Sequence, residues 1–256
     1  MKILCLNPPF KTEYGRFSRT SRSPAITKSG TIYYPIWLCY VAGVLEDAGH
    51  EVKVIDSCAY GYDLEATLRI VAEFKPEMVV IDTSTPSIYN DVKAGSEIKK
   101  ILPDTFVVLM GTHPTALPEE TLLLSNGSNP PLPPFTKGGA GGFGGLIDAV
   151  AVGEADYTVK ELAQKLSQAD LRAVQSDAAY RNNILSSVDG IAYRTYSGVY
   201  INKRRELLSN LDELPFVSRV YKKHLDSTKY FFAASDYPEV QIMTARGCIA
   251  QCTFCV

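Results

Sequence analysis

Continuous apolar runs alternate with helix-like stretches through the first 125 residues, and this constrains the fold more than any other feature. Residues 2–6, 51–55, 78–81 and 106–110 are short runs rich in Val, Ile, Leu and Met. Between them, residues 37–48, 63–74 and 91–101 carry apolar side chains at helical spacing. Gly49, Pro76 and Pro103 stand where these helices should stop. Strands buried on both faces read as unbroken apolar runs, whereas half-exposed strands alternate. The pattern therefore predicts a parallel sheet covered by helices on both faces.

In such a sheet, ligands bind outside the carboxyl ends of the strands, near the point where strand order reverses. Four loops qualify on this ground: 7–10, 56–58, 82–86 and 111–114. A fifth strand is expected over 146–152, ending at Gly153-Glu154, with a helix over 157–166.

Residues 126–145 interrupt the pattern. Eleven of these twenty residues are Gly or Pro, which suits neither a helix nor a central strand. They are expected to be a surface-loop insertion, since removing them joins 121–125 to the fifth strand. Beyond a polar stretch, 167–187, residues 190–194 and 199–203 flank Ser197-Gly198 as a hairpin. A linker over 207–215 and one more strand over 240–244 follow.

The balance of 26 basic and 28 acidic residues argues against a nucleic-acid partner, and the run Lys203-Arg204-Arg205 is short enough to be a solvated face. No apolar run reaches the roughly 18 residues that a membrane helix requires. Residues 1–6 have strand character instead of signal-peptide character, so a cytoplasmic location is expected. Cys5, Cys39 and Cys58 lie among apolar residues and are expected to be buried thiols.

Cys248, Cys252 and Cys255 form a C-x3-C-x2-C cluster within Arg246-Gly247-Cys248-Ile249-Ala250-Gln251-Cys252-Thr253-Phe254-Cys255. Three thiolates this close can wrap one metal centre from a single loop. Structural zinc asks for four ligands, and neither a fourth cysteine nor a nearby histidine is present. Four-iron clusters commonly take four thiolates, so three leave one iron open. An open iron can chelate the amino and carboxylate groups of S-adenosylmethionine (SAM). Half of a zinc ribbon is the competing assignment.

The cysteine motif, with Phe254 before its last cysteine, resembles that of the radical SAM superfamily. The rest of the chain is similar to the N-terminal part of the cobalamin-binding radical SAM enzymes. The resemblance runs through Leu4-Cys5-Leu6-Asn7-Pro8-Pro9, Pro35 to Ala48-Gly49-His50, Met110-Gly111-Thr112-His113-Pro114-Thr115, Gly153-Glu154-Ala155-Asp156 and Asn210-Leu211-Asp212-Glu213-Leu214-Pro215. It covers nearly the whole chain apart from 126–145.

The resemblance implies an α/β fold: a Rossmann-like (flavodoxin-like) parallel five-stranded sheet with helices on both faces. The expected units are a cobalamin-binding domain at 1–170, a hairpin and linker at 171–238, and the start of a radical SAM barrel at 239–256. It implies cobalamin, a [4Fe-4S] cluster and SAM as cofactors, with Cys248, Cys252 and Cys255 as the metal ligands. The cofactor-binding candidates are Asn7, Pro8, Pro9, Thr83, Ser84, Gly111, Thr112, His113, Gly153 and Glu154. No histidine follows the first strand, so cobalamin should bind without an axial imidazole from that loop. His113 is expected to shape its loop or hydrogen-bond the cofactor, with cobalt ligation the alternative.

The implied chemistry is methyl transfer to an unactivated carbon or a related rearrangement, with a small-molecule substrate and an external electron donor. The chain itself is expected to be inactive alone because it stops at the cysteine loop. The alternatives are a non-catalytic cobalamin-binding module and a radical SAM enzyme whose N-terminal domain binds no cobalamin. A nucleotide- or flavin-binding domain is disfavoured, because no G-x-G-x-x-G opens the first helix.

Overall fold

The computed structural model describes residues 1–256 except 12, 14, 21–23, 125–146, 249, 251, 252 and 254–256. The expected insertion at 126–145 and two of the three motif cysteines, Cys252 and Cys255, lie outside the described residues.

The apolar runs form strands β1 (Lys2–Asn7), β4 (Glu51–Asp56), β5 (Met78–Thr83), β6 (Phe106–Gly111) and β7 (Ala149–Ala151). All five pair in parallel, in the order β4-β1-β5-β6-β7. A short antiparallel pair, β2 (Phe17–Ser18) and β3 (Ala25–Ile26), lies in the connection after β1. The helices are α1 (Ile36–Asp47), α2 (Ser57–Tyr60), α3 (Leu64–Phe74), α4 (Ile88–Ile101), α5 (Thr112–Ala116), α6 (Pro118–Leu124), α7 (Asp156–Leu166), α8 (Leu171–Ser176), α9 (Ala178–Leu185) and α10 (Val217–His224).

Alternate strand residues feed two separate cores. Ile3, Cys5, Met78, Val80, Phe106 and Val108 pack with α1, α7 and α10 on one face. Leu4, Leu6, Val79, Ile81, Val107 and Leu109 pack with α3, α4 and α6 on the other. The predicted helix layers on both faces are thus present.

The five-stranded expectation is too small. Strands β8 (Ile191–Thr195) and β9 (Gly198–Ile201) extend the sheet to seven by pairing antiparallel beyond β7. The physical reason is burial: Ile191, Ala192 and Tyr193 are buried, and β7 would otherwise present an open ladder edge. The hairpin belongs to the same sheet as the parallel strands.

The strand expected at 240–244 is not formed. Among the described residues this stretch has no ladder partner. It is held instead by side chains, through Tyr34 Oη donating to the Glu239 carbonyl at 2.9 Å and Gln241 Oε1 accepting from the Tyr34 amide at 3.2 Å. Tyr34 also stacks between Tyr221 and Tyr230, at 4.3 Å and 3.9 Å between ring centroids. This stack fastens α10 and the chain after it to the start of α1.

Two side chains, half-buried Arg194 and buried Asp148, knit the far half of the sheet. Arg194 of β8 donates to the Leu122 carbonyl at 2.6 Å and to the Ile147 carbonyl, so it holds together the two ends that flank residues 125–146. Asp148 accepts from the Val107 amide at 2.6 Å and pairs with Lys99 at 2.9 Å. Lys99 in turn donates to the Thr105 carbonyl and to Gln175. Replacing Asp148 by alanine strands a buried amide and a buried ammonium. Urea unfolding is expected to show a loss of about 3 kcal/mol with an unchanged slope.

Candidate functional site

Strand order reverses between β1 and β5, which places the conventional crevice at the ends of these strands. Here the chain fills that crevice itself. Pro8 and Pro9 end β1, and Phe10 and Phe17 beyond them pack ring against ring at 4.3 Å. From the hairpin β2–β3, Arg19 reaches into the interior.

The Arg19 guanidinium is 1% exposed and pairs with Asp91, which is fully buried. Its Nε donates to Asp91 Oδ2 at 3.3 Å, while a second nitrogen donates to Oδ1. The remaining nitrogen donates to Asn7 Oδ1 at 2.6 Å, to the Pro8 carbonyl at 2.7 Å and to Cys58 Sγ at 3.2 Å. Thr83 and Ser87 hydroxyls complete the shell of Asp91 at 2.7 Å and 2.5 Å. Burial opposes the charge on Arg19, yet Asp91 holds its pKa above the ordinary value.

Two further carboxyls lie at the same strand ends. Asp56 accepts from Asn7 Nδ2 at 2.8 Å, from the Ala59 amide at 3.1 Å and from the Tyr230 hydroxyl at 3.2 Å. Burial nevertheless pushes Asp56 up to about 6. Burial pushes Asp82 up to about 7, with Arg19 pulling against it and Asp91 and Asp56 adding to the rise. Cys58 is pushed up to about 11 by burial, so it stays a neutral thiol.

The structure therefore divides the sequence candidates. Asn7, Pro8, Thr83 and Ser84 are internal, and their polar atoms are occupied by Arg19, Asp56, Asp91 and Ser87. The Pro9 carbonyl accepts from Asn90 at 2.6 Å. The open rim lies farther along, at the ends of β5, β6 and β7. Thr85, Pro86 and Thr112 are exposed there, and Gly111, Thr115, Gly153 and Glu154 are half-buried.

Gly111 has φ +120°, and a Cβ on it would sit 2.1 Å from the Thr83 carbonyl oxygen, so the rim closes this tightly only with glycine. The Gly153 amide donates to Thr115 Oγ1 at 3.1 Å, joining the β6 and β7 loops. His113 is buried, with Nδ1 3.3 Å from the Thr85 hydroxyl and Nε2 3.8 Å from Glu120. Nε2 has no hydrogen-bond partner among the described residues, and burial lowers the His113 pKa against the opposing pull of Glu120.

Beside Glu154 opens a cleft of about 430 Å³, lined by Asp156, Tyr157, Lys203, Arg205 and Glu206 among others. Lys203 pairs with Glu206, Arg205 with Glu161 and Asp156 with Arg246, and the cleft sits at the β7 end, away from the reversal point.

Across the rim, Gly247 takes φ +87° and turns the chain into the cysteine loop. Cys248 is exposed, and its Sγ accepts from the Ala250 amide at 3.4 Å.

The fold and this edge define a doubly wound α/β domain whose natural crevice is closed and whose open rim is displaced toward β6 and β7. Comparison with known proteins names the class. The family model of the B12 binding domain matches residues 22–127. An uncharacterized methyltransferase of Pyrococcus horikoshii is 29% identical over 255 residues, across all of this chain and 45% of that protein. Cytidylyl-2-hydroxyethylphosphonate methyltransferase of Streptomyces wedmorensis is 25% identical over 252 residues, across 87% of this chain and 43% of that protein. Anaerobic magnesium-protoporphyrin IX monomethyl ester cyclase of Rubrivivax gelatinosus is 24% identical over 223 residues, across 86% of this chain and 34% of that protein.

Among solved structures, the cobalamin-dependent SAM radical enzyme OxsB with aqua-cobalamin bound shares the fold. The TM-score is 0.55 at 13% identity, over 86% of this chain and 25% of that one. The chain spans less than half the length of these curated relatives. Residues 22–127 thus match the B12 binding domain family, and the fold is that of the cobalamin-dependent SAM radical enzyme OxsB. Among the described residues no helix is long and apolar enough to cross a membrane.

The raised carboxyls make the folded state hold protons that the unfolded chain has released. Between about pH 4 and pH 7 the native state binds more protons, so stability should fall as pH rises through this window. Asp82→Asn removes one of these protonation sites. The difference in urea midpoint between pH 5 and pH 8 should shrink in this variant, with the gain at pH 8.

Proposed function

We propose that this chain binds cobalamin at the open ends of β5, β6 and β7 and serves SAM-dependent radical chemistry carried by Cys248, Cys252 and Cys255. The observation that carries this reading is the open rim. The segment matched by the B12 binding domain supplies its exposed loops, at Thr85 and Thr112, while the reversal point beside it is sealed by Arg19.

The residues present suit such a ligand. Cobalamin is a large, broadly planar group edged with amides. Neutral hydroxyls on Thr85, Thr112 and Thr115, together with backbone amides, match amide edges better than a charged pocket would. The buried, unpartnered Nε2 of His113 marks a polar group that the described protein atoms leave unsatisfied. Ring burial and the Thr85 contact make His113 a support of the rim loop in this reading.

Cys248, Cys252 and Cys255 would hold the cluster and the rim would hold cobalamin, the two supplying one-electron reduction of SAM and methyl-carrying chemistry respectively. The chain's own part is to bind, orient and keep dry. Gly111 and Gly153 keep the rim low, Thr115 ties its two loops together, and the thiolates of the three cysteines hold iron. The reaction we favour is methyl transfer to an unactivated carbon, or a related rearrangement, on a small molecule with electrons from an external donor in a reducing cytoplasm.

Hydroxocobalamin incubated with the purified chain should remain after desalting as corrin absorbance near one per chain, and no retained corrin would overturn the cobalamin reading. Thr112→Trp, at an exposed position, should cut retention at least severalfold without moving the unfolding midpoint. Anaerobic reconstitution with iron and sulfide should give a cluster spectrum that is lost when Cys248, Cys252 and Cys255 are all replaced by alanine. Zinc bound in place of iron would sink the cluster reading.

A further inference from the structure

Two residues before the first motif cysteine, Arg246 leaves the cysteine loop and enters the domain. Its side chain is 7% exposed. It pairs with Asp156 through two nitrogens, at 2.6 Å to Oδ2 and 3.2 Å to Oδ1. Glu154 lies 3.9 Å away. The guanidinium also lies over two rings, 5.2 Å from the Trp37 centroid and 4.8 Å from that of Tyr40. A planar, forked cation bound by a carboxylate and stacked on aromatic rings has little freedom to turn, and lysine could not reproduce both contacts.

The partners of Arg246 matter as much as the contact. Glu154 and Asp156 follow β7 directly, and Gly153 beside them is tied by its amide to Thr115 on the β6 loop. Trp37 and Tyr40 lie in α1, behind β1. One side chain thus grips the rim loop and the first helix together. No backbone hydrogen bond joins residues 239–247 to the sheet among the described residues, so side-chain contacts carry the attachment, those of Arg246 and Tyr34 together with Met243 packed against the core.

We propose that Arg246 is a positioning residue that sets the register of the cysteine loop against the cofactor rim through Asp156. The proposal rests on the function proposed above for its meaning, because register matters only if both ends carry reacting groups. Its test uses neither cofactor, so the two readings fail separately.

Trp37 is the sole tryptophan of the chain, and the Arg246–Gly247 bond is a trypsin site whose arginine is buried. In the intact, cofactor-free chain, trypsin should cut after Arg246 slowly. Asp156→Asn keeps the shape and removes the charge. It should speed release of residues 247–256 by about tenfold or more, because cleavage follows the open population and a charge-assisted pair is lost.

In the same variant, acrylamide should quench Trp37 more strongly, a signature that a general loss of stability below the unfolding transition would not give. Arg246→Lys should fall between wild type and Asp156→Asn, since it keeps the charge and loses the fork. Trp37→Leu leaves Asp156 intact and should raise cleavage less than Asp156→Asn does. If Asp156→Asn does not fold, the graded responses of Arg246→Lys and Trp37→Leu decide the matter. Equal cleavage rates in the folded variants and the wild type, or unchanged Trp37 quenching, would overturn the proposal.

Discussion

A buried charge pair at the reversal point of the sheet governs what the rest of the molecule can offer. Arg19 and Asp91 lie 72 positions apart in sequence and meet where neither touches water. Taking both charges out of water costs several kcal/mol per ion, and only a full shell of hydrogen bonds offsets it. That shell is supplied by Asn7, the Pro8 carbonyl, Thr83 and Ser87. The pair therefore acts less as a source of net stability than as a specifier. It fixes where Arg19 must lie against Asn7 and Pro8, and these residues occupy the crevice that a doubly wound sheet leaves open.

Closing one end of the edge decides where a ligand can approach. The polar residues next to β1 are spent internally, so the accessible hydroxyls and tight glycine turns fall at β5, β6 and β7. Asp56 and Asp82 belong to the closed side, and their raised pKa values follow from the same exclusion of water. The chemistry of the edge is graded along the sheet, from an ionic, saturated interior at β1 to a neutral, solvent-facing rim at β6.

Much of the fold was legible because it rests on local signals. Unbroken apolar runs marked the parallel strands, and the turn at Ser197-Gly198 marked the hairpin. What the hairpin pairs with was not legible: its partner β7 is distant in sequence, and the need to cover β7 exists only once the sheet is assembled. The strand expected at 240–244 failed for the complementary reason. Its residues alternate well, but a strand is defined by a neighbour, and Tyr34 holds this stretch by side-chain contacts instead. At the site, glycines and hydroxyls after the strands were readable, since strand ends are where ligands meet such sheets. Asp56 and Asp82 head two of the candidate loops but were not named as site residues, and Arg19 and Asp91 were not singled out. An acidic residue closing an apolar strand, as Asp56 and Asp82 do, was the available signal, whereas the long-range match of Arg19 to Asp91 left none.

The stacked rings of Tyr34, Tyr221 and Tyr230 bear on how two distant groups can be brought together. Two sites joined by a loose tether meet at an effective concentration set by chain statistics, which falls as the tether lengthens. Here the path from the sheet to the cysteine loop is pressed onto α1 before it arrives, by rings that share faces and by a hydroxyl bonded to the Glu239 carbonyl. The connection works as a strap, not a tether, and geometry replaces probability. The separation between the rim and the loop is then settled once, when the domain folds, and does not depend on how many residues lie between them.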